Sequence, residues 1–162
     1  MKIGILSDTH DAEDKTKAAI SIFKKENVEL IVHCGDLTSP EIVKICSELP
    51  FYFVFGNHDS DRVRELTQAA KEFGADCLHW GGFLPLDNVR IAVCHGHMTK
   101  DLRPLLDAEP DYLFSGHSHQ ANVWQAGSTT RINPGALFRA TRLTVSLLDL
   151  ATERIESLEI EK

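Results

Sequence analysis

Residues 2–10 read KIGILSDTH, residues 28–36 read VELIVHCGD and residues 51–59 read FYFVFGNHD. Each stretch begins with a short run rich in apolar, β-branched or aromatic residues, which is typical of a buried strand. Each run then ends abruptly in polar residues such as Asp, Asn and His. After each run, apolar residues recur at helical spacing, so the first half of the chain alternates strand and helix. That alternation predicts a largely parallel sheet with helices on its faces.

The second half of the chain is dominated by short strands and turns. The last two strands are predicted to pair as an antiparallel hairpin across Ala151-Thr152, and Asp87-Asn88 indicates another tight hairpin turn. The strand count favours an α/β protein in which two β-sheets pack face to face with helices outside. The predicted strands are residues 2–7, 28–34, 51–55, 77–79, 83–86, 89–94, 111–115, 122–126, 130–133, 140–150 and 153–160, and the predicted helices are residues 11–25, 40–48, 60–73 and 99–107.

Length and composition limit the class of protein. A chain of 162 residues with 43% hydrophobic and 25% charged residues is predicted to form one globular domain, residues 1–162. The formal net charge of -7 argues against binding of long nucleic acids, because an acidic surface repels polyanions. The four cysteines have no metal-site spacing, which indicates reduced thiols. With neither a signal peptide nor a membrane-spanning run, we expect a cytoplasmic protein without a membrane partner.

Polar residues that are typical of metal sites follow five separate predicted strands. Six of the eight histidines lie in these segments. Because the carboxyl ends of strands in an open α/β sheet face a common crevice, the five segments are expected to converge. Asp, His and Asn suit Mn²⁺, Fe, Zn or Ni, and a carboxylate such as Asp36 has two oxygens with which to bridge two ions. The segments are Asp8-Thr9-His10, Gly35-Asp36, Gly56-Asn57-His58-Asp59, His95-Gly96-His97 and Gly116-His117-Ser118-His119.

Two histidines, His33 and His79, lie outside this pattern. A single histidine near a strand end is more often a hydrogen-bonded structural residue than a metal ligand, so we expect both to be structural. His97, the last residue of the H-G-H segment, stays open between the two roles.

The ordered series D-x-H, G-D, G-N-H-D, H-G-H and G-H-x-H resembles the motif series of the calcineurin-like metallophosphoesterases. It is most similar to their small single-domain prokaryotic branch, the phosphodiesterases of the YfcE type. The resemblance extends from residue 3 to about residue 137 and includes the turn Asn133-Pro134-Gly135. It implies a four-layer α/β/β/α sandwich of two mixed β-sheets flanked by helices. It also implies a hydrolase that cleaves small phosphate diesters through attack by a hydroxide that bridges two metal ions.

The resemblance implies a role for each residue of the G-N-H-D segment. His58 would lie beside the ions without binding either, and would stabilise the transition state or protonate the leaving oxygen. Asp59 would orient the imidazole of His58, and Asn57 would help to place the phosphate oxygens. Asp36 would bridge the two ions. By motif position, one ion would be bound by Asp8, His10, Asp36 and His119, and the other by Asp36, Asn57, His95 and His117.

The expected cofactors are two divalent cations, with Mn²⁺ as the first choice and Ni²⁺, Fe²⁺, Zn²⁺ or Mg²⁺ as alternatives, because ligand type does not select among them. Small members of the family often form dimers or tetramers, so a homo-dimer or homo-tetramer is expected. The larger phosphatases of the family carry a further Asp and an Arg soon after the G-D motif. Residues 35–40 read GDLTSP instead, which argues against a protein phosphatase.

Three other functions remain open. A phosphomonoesterase or nucleotidase would use the same site and differ only in its substrate. A catalytically silent, metal-binding interaction scaffold has a precedent in a retromer subunit of this fold, but that subunit lacks the histidine that corresponds to His58. A di-iron redox protein fits the ligand types, although no feature of the sequence requires redox chemistry.

Overall fold

The computed structural model describes residues 1–161 and contains two β-sheets, so Lys162, the last residue of the predicted domain, lies outside the described range. The strands are β1 (Lys2–Leu6), β2 (Leu30–His33), β3 (Phe51–Phe53), β4 (Asp76–Cys77), β5 (Gly81–Phe83), β6 (Ile91–Cys94), β7 (Tyr112–Phe114), β8 (Asn122–Ala126), β9 (Thr129–Asn133), β10 (Thr144–Asp149) and β11 (Arg154–Glu159); the helices are α1 (Glu13–Lys25), α2 (Pro40–Cys46), α3 (Val63–Phe73) and α4 (Thr99–Asp107), with a 3₁₀ turn at Asn57–Asp59.

Both sheets are mixed, as predicted. The first has the order β11-β10-β1-β2-β3-β4, in which β1 to β4 are parallel and β10 and β11 are antiparallel. The second has the order β5-β6-β7-β9-β8, in which β6, β7 and β9 are parallel and the two edge strands are antiparallel. The last strand pair, β10 and β11, therefore extends the sheet that the first strand begins.

After Lys2 the first strand is apolar, because both of its faces are buried from Ile3 onward. Successive side chains of a strand point to opposite faces. Ile3 and Ile5 pack between the two sheets, whereas Leu6 packs on the opposite face, against the helices. Gly4 allows α1 to approach, because a Cβ at this position would lie only 2.8 Å from the ring of Phe23. The result is the predicted four-layer order of helices, sheet, sheet and helix.

The helices follow local signals in the sequence. Helix α1 carries Glu13 and Asp14 in its first turn and two lysines in its last, an arrangement that complements the helix dipole. Helix α2 begins at Pro40, where the absence of an N–H costs no hydrogen bond. Helix α3 ends at Gly74, which adopts a left-handed conformation with φ 74°. Among residues 1–161, no helix has both the length and the apolar character needed to cross a bilayer.

The hairpin predicted around Asp87-Asn88 is present, but its turn is wider than predicted. Strand β5 lies at Gly81–Phe83 rather than at 83–86, and residues 84–90 connect it to β6. Leu84 is only 4% exposed and packs between the sheets. The Leu84 N–H still donates to the Ile91 carbonyl at 2.9 Å, so the pairing with β6 continues to Leu84 before the turn begins.

Candidate metal centre

The five polar segments meet at one edge of the two sheets. Strands β1, β2 and β3 of the first sheet and β6 and β7 of the second each end with no more than two residues between the strand and one of the segments. Backbone hydrogen bonds connect neighbouring segments: the Asp8 N–H donates to the Gly35 carbonyl (3.0 Å), and the Gly116 N–H donates to the His95 carbonyl (3.0 Å). The convergence that the sequence predicted is therefore present.

Asp36 occupies the centre of the cluster. Its Oδ2 lies 3.3 Å from His10 Nε2 and 3.4 Å from His95 Nε2, while its Oδ1 accepts the His58 N–H at 2.8 Å. Burial raises the pKa of the Asp36 carboxyl, but the adjacent imidazoles of His10 and His95 outweigh this effect and hold the pKa well below its ordinary value. An ionised carboxylate with one oxygen between two imidazoles suits a bridging ligand.

Asp8 presents an unsatisfied oxygen to the same space. The residue is fully buried, and its Oδ2 accepts the His117 N–H at 3.0 Å. Its Oδ1 lies 3.2 Å from His119 Nε2 and has no hydrogen-bond partner among residues 1–161. The buried Nε2 of His10 also lacks a partner there. Buried polar atoms without partners that face one another fit a bound cation, because each of them otherwise costs desolvation energy.

His95 is oriented so that its Nε2 faces the cluster. Its Nδ1 lies 2.7 Å from the Cys34 carbonyl, an acceptor, so this nitrogen carries the proton. The lone pair of Nε2 then points towards Asn57 Oδ1, 3.1 Å away, and towards Asp36 Oδ2. Backbone carbonyls commonly fix ligating histidines in this way. Acceptors that converge on one point again fit a cation.

The backbone of the ligand segments is strained. Five of the seven predicted ligands have φ angles between 41° and 70°, in the left-handed region that side chains other than glycine disfavour. Each such residue costs about 1–3 kcal/mol and persists only where the surrounding structure requires it, typically at functional sites. The five residues are Asp8, His10, Asp36, His117 and His119.

Two glycines in the motifs are required by space rather than by a left-handed φ. A Cβ on Gly56 would overlap the Asp36 carboxylate, and a Cβ on Gly116 would overlap the Ser7 hydroxyl and crowd Asp8. The G-N-H-D and G-H-x-H motifs therefore begin with glycine because these segments pass directly against the carboxylates of the site.

Asp59 has a different role from the one predicted. Its Oδ2 accepts the N–H groups of Asp36 (2.8 Å), Leu37 (3.3 Å) and Gly56 (2.8 Å), and its Oδ1 accepts that of Thr38 (2.8 Å). The carboxylate is fully buried, and burial raises its pKa although the amides lower it. The prediction that Asp59 orients the His58 imidazole is wrong, because the loop that carries Asp36 supplies three of the four donors to this carboxylate and Gly56 supplies the fourth.

His58 lies at the exposed side of the cluster. Its ring stands edge-on to that of His10, with 4.9 Å between the centroids. Possible ligand atoms of His10, Asp36 and His58 lie within 4.8 Å of one another. His58 is thus beside the predicted ligands and open to solvent, as a residue that meets a substrate must be.

His33 is structural, as predicted, and it supports the site. Its Nδ1 accepts the Gly35 N–H at 3.1 Å, so its Nε2 carries the proton that Thr9 Oγ1 accepts at 3.1 Å. Thr9 in turn donates to the Asp36 carbonyl. Burial lowers the pKa of His33 to about 3. The sequence did not reveal that this buried histidine connects the first two ligand segments.

His97, which the sequence left open, lies close to the second set of predicted ligands. Its ring centroid is 5.3 Å from that of His95 and 6.1 Å from that of His117. Its buried Nδ1 has no partner within the described residues.

An open cleft of about 390 Å³ adjoins His10, His58 and His119. Phe138 and Arg139 form part of its wall. They follow the Asn133-Pro134-Gly135 turn, in which the Asn133 amide donates to the Gly116 carbonyl (2.9 Å) and to Ser118 Oγ (3.0 Å). No role for Phe138 or Arg139 was predicted from the sequence, since neither belongs to a recognisable motif.

Comparisons with known proteins agree with this geometry. The family model of the calcineurin-like phosphoesterase superfamily domain matches residues 1–153. A phosphodiesterase of Methanocaldococcus jannaschii is 32% identical over 167 residues, which cover 99% of this chain and 98% of that protein. The solved structure of an archaeal phosphodiesterase superimposes with a TM-score of 0.88 at 28% identity and covers 99% of this chain and 100% of that one. YfcE, a phosphoesterase of E. coli, has a TM-score of 0.71 at 19% identity, with 99% and 100% coverage, and so shares the fold.

Proposed function

Because the chain belongs to the calcineurin-like phosphoesterase superfamily, we propose that it hydrolyses small phosphate diesters with two divalent cations as cofactors. The observation that carries the proposal is the position of Asp36 Oδ2, between His10 Nε2 and His95 Nε2 at 3.3 and 3.4 Å. One anionic oxygen between two imidazole nitrogens is suited to bridging two cations rather than to binding one.

The ligand sets that the motifs implied are supported by the contacts of the cluster. Asp8 Oδ1 and His119 Nε2 face each other at 3.2 Å beside His10, which suits one cation. Asn57 Oδ1 and His95 Nε2 face each other at 3.1 Å, with the ring of His117 5.2 Å from that of His95, which suits the other. Mn²⁺ stays the first choice of ion, and the carboxylate, imidazole and amide donors also suit the alternatives Ni²⁺, Fe²⁺, Zn²⁺ and Mg²⁺.

Bound cations at these positions supply charge neutralisation and a water that is nucleophilic at neutral pH. The residues of the chain then provide orientation and proton transfer. His58, exposed at the cleft and adjacent to His10, is placed to donate a hydrogen bond or a proton to the leaving oxygen. Asp59 holds the loop that carries Asp36, so that the bridging carboxylate does not need to reorganise during the reaction.

Three further parts of the proposal concern the whole molecule. We expect one cooperative unfolding transition for a single domain, which calorimetry measures. We also expect a homo-dimer or homo-tetramer, which light scattering measures, and a cytoplasmic location, which fractionation of the source cells measures. The pairing of β1 with β10 supports the single domain, since it joins the two ends of the chain in one sheet.

The test of the function is hydrolysis by chelator-stripped protein to which single divalent metals are returned. Bis(p-nitrophenyl) phosphate and p-nitrophenyl phosphate compare a diester with a monoester that has the same leaving group. We expect turnover only with metal, and a higher kcat/KM for the diester. A higher kcat/KM for the monoester would assign a phosphomonoesterase. No turnover with any metal, in protein shown to bind two ions, would favour the interaction scaffold.

A further inference from the structure

We infer that Arg139 is a specificity-determining residue that binds a second anionic group of the substrate, such as a further phosphate, beyond the phosphate that is cleaved. This inference rests on the proposed function, since it places the cleaved diester at the metal cluster. It narrows the substrate class from phosphate diesters in general to small diesters that carry an additional negative charge.

The position of Arg139 follows from a series of three side chains that leads outward from the metal cluster. The ring of Phe138 lies 5.0 Å from the ring of His10, centroid to centroid. The guanidinium carbon of Arg139 lies over the Phe138 ring, 4.9 Å from its centroid. All three side chains line the cleft beside His58 and His119. A substrate whose cleaved phosphate sits at the ions would thus extend along Phe138 towards the guanidinium.

The backbone supports a fixed position for this arginine. Leu37 and Leu137 are both fully or almost fully buried. The Leu137 N–H donates to the Asp8 carbonyl at 3.3 Å, which connects the segment that carries Arg139 to the loop that carries Asp8. Two residues later, Arg139 has a φ of 48° although its side chain is exposed. Exposed turn residues elsewhere in the chain, such as Glu109 and Glu153, share this conformation, so the fixed position of the segment rests on the buried Leu137 and its hydrogen bond.

The charge of Arg139 is available to a ligand. Arg103, Arg142 and Arg154 each pair with a neighbouring carboxylate. No carboxylate among residues 1–161 lies within ion-pair distance of Arg139. Its guanidinium lies over the Phe138 ring instead. Asp11 also lines the cleft and would repel an anion from its own side. A second anionic group is therefore directed to the side of the cleft that Arg139 occupies.

Guanidinium chemistry fits a phosphate group. Arginine presents parallel N–H donors that match phosphate oxygens, and hydrogen bonds between charged partners are about twice as strong as neutral ones. The cation–π contact with Phe138 holds the guanidinium in place, so less freedom is lost when a ligand binds. Arg139 is thus a preorganised anion-binding group on a chain whose formal net charge is -7.

Two substrates with the same cleaved bond and leaving group test the inference. They are thymidine 5′-(p-nitrophenyl phosphate) and the same compound with a 3′-phosphate. We expect the metal-loaded wild-type protein to prefer the 3′-phosphorylated form by roughly tenfold or more in kcat/KM. Arg139→Gln should reduce this ratio to about one, and Arg139→Lys, which keeps the charge without the fork, should retain part of it. Arg154→Gln is the control variant. It removes an equal charge from the end of the first sheet that lies opposite the metal cluster, and it should leave the ratio of the two kcat/KM values unchanged.

Binding without turnover separates this inference from the proposed function. Calorimetry would compare thymidine 3′,5′-bisphosphate with thymidine 5′-phosphate on metal-loaded wild-type and Arg139→Gln protein. If wild-type protein binds the bisphosphate more tightly and Arg139→Gln loses this preference, the inference is supported even when no ester is hydrolysed. In that case only the proposed function fails. If both proteins hydrolyse the esters, and if wild type and Arg139→Gln show the same substrate ratio and the same affinity for the bisphosphate, only the inference is overturned.

Discussion

The two halves of the metal centre are held by the protein to different degrees. In the half built on the first sheet, Asp36 is 2% exposed, the Asp59 carboxylate accepts four backbone amides, and His33 connects to Thr9. In the half built on the second sheet, His117 is exposed and His119 is half-buried. The segment that carries them is held mainly by the His117 N–H bond to Asp8 and by the Asn133 amide.

The difference indicates how the site is assembled. The first-sheet half is preorganised by buried hydrogen bonds that exist without any ion. In the second-sheet half, His95 is buried and held by the Cys34 carbonyl. His117 and His119 lie on a more open loop, so bound cations would contribute most of the order of that loop. Variants in the first half should therefore reduce folding stability, and variants in the second half should reduce metal binding.

The largest effect is expected where the two halves meet. Asp36→Ala removes the oxygen between His10 and His95, so both ions should bind weakly. Loss of several kcal/mol of charge stabilisation corresponds to a fall in kcat/KM of roughly 10³–10⁵-fold. His119→Ala should release one ion and retain the other. Mass spectrometry measures the metal content of the two variants, and hydrolysis of bis(p-nitrophenyl) phosphate measures their activity. Two retained ions in Asp36→Ala would contradict the bridging role.

His58→Ala should separate catalysis from metal binding. We expect a loss of ~10²–10⁴-fold in turnover on a diester with a poor leaving group, because the proton donor is removed. The loss should be smaller on a p-nitrophenyl ester, whose leaving group needs no proton, and two ions should remain bound. Equal turnover by His58→Ala and wild type on the unactivated diester would refute this role.

The next effect compares the supports of the two halves. Asp59→Asn keeps the shape of the side chain but directs an NH₂ group at one set of amide donors, so unfolding free energy should fall by roughly 2–4 kcal/mol. Asn133→Ala, which supports the second half, should cost roughly 1–2 kcal/mol. Asp87→Asn, at an exposed position in the connection between β5 and β6, is the matched control. Urea unfolding of chelator-stripped protein measures all three, and equal values for Asp59→Asn and Asp87→Asn would contradict the difference between the halves.

The smallest effect concerns the pH dependence of the first half. The folded pKa of His33 is about 3, below its ordinary value of 6.5, so the folded chain binds fewer protons than the unfolded chain between these values. The contribution of neutral His33 is complete above pH 6.5 and falls by at most ~1.4 kcal/mol per unit as the pH decreases towards 3. Between pH 7 and 5, the unfolding free energy of His33→Gln should therefore decrease less than that of the wild-type protein. Parallel curves for the two apo proteins would exclude the effect.

The sequence predicted those parts of the molecule that depend on local patterns. Apolar runs that end in polar motifs located β1, β2 and β3 and the segments behind them, and the short helix predicted at residues 99–107 coincides with α4 (Thr99–Asp107). The convergence of the ligand segments was predicted because the carboxyl ends of strands in an open α/β sheet face a common crevice.

The errors concern residues whose roles depend on tertiary contacts. Asp59 looked like a partner of the adjacent His58, but a buried carboxylate takes its donors from whichever loop folds around it, and here that is residues 36–38. Phe138 and Arg139 reach the cleft only because the preceding turn is fixed to the Gly116 segment. The position of β5 at Gly81–Phe83 was likewise missed, because Gly81 and Gly82 carry no strand signal.

The most direct test of the central claim is an anomalous-difference map from a crystal of this protein grown with Mn²⁺. We expect two peaks about 3.5–4 Å apart, with Asp36 Oδ2 between them, Asp8, His10 and His119 around one, and Asn57, His95 and His117 around the other. A single peak, or two peaks that Asp36 does not bridge, would contradict a dimetal phosphodiesterase centre.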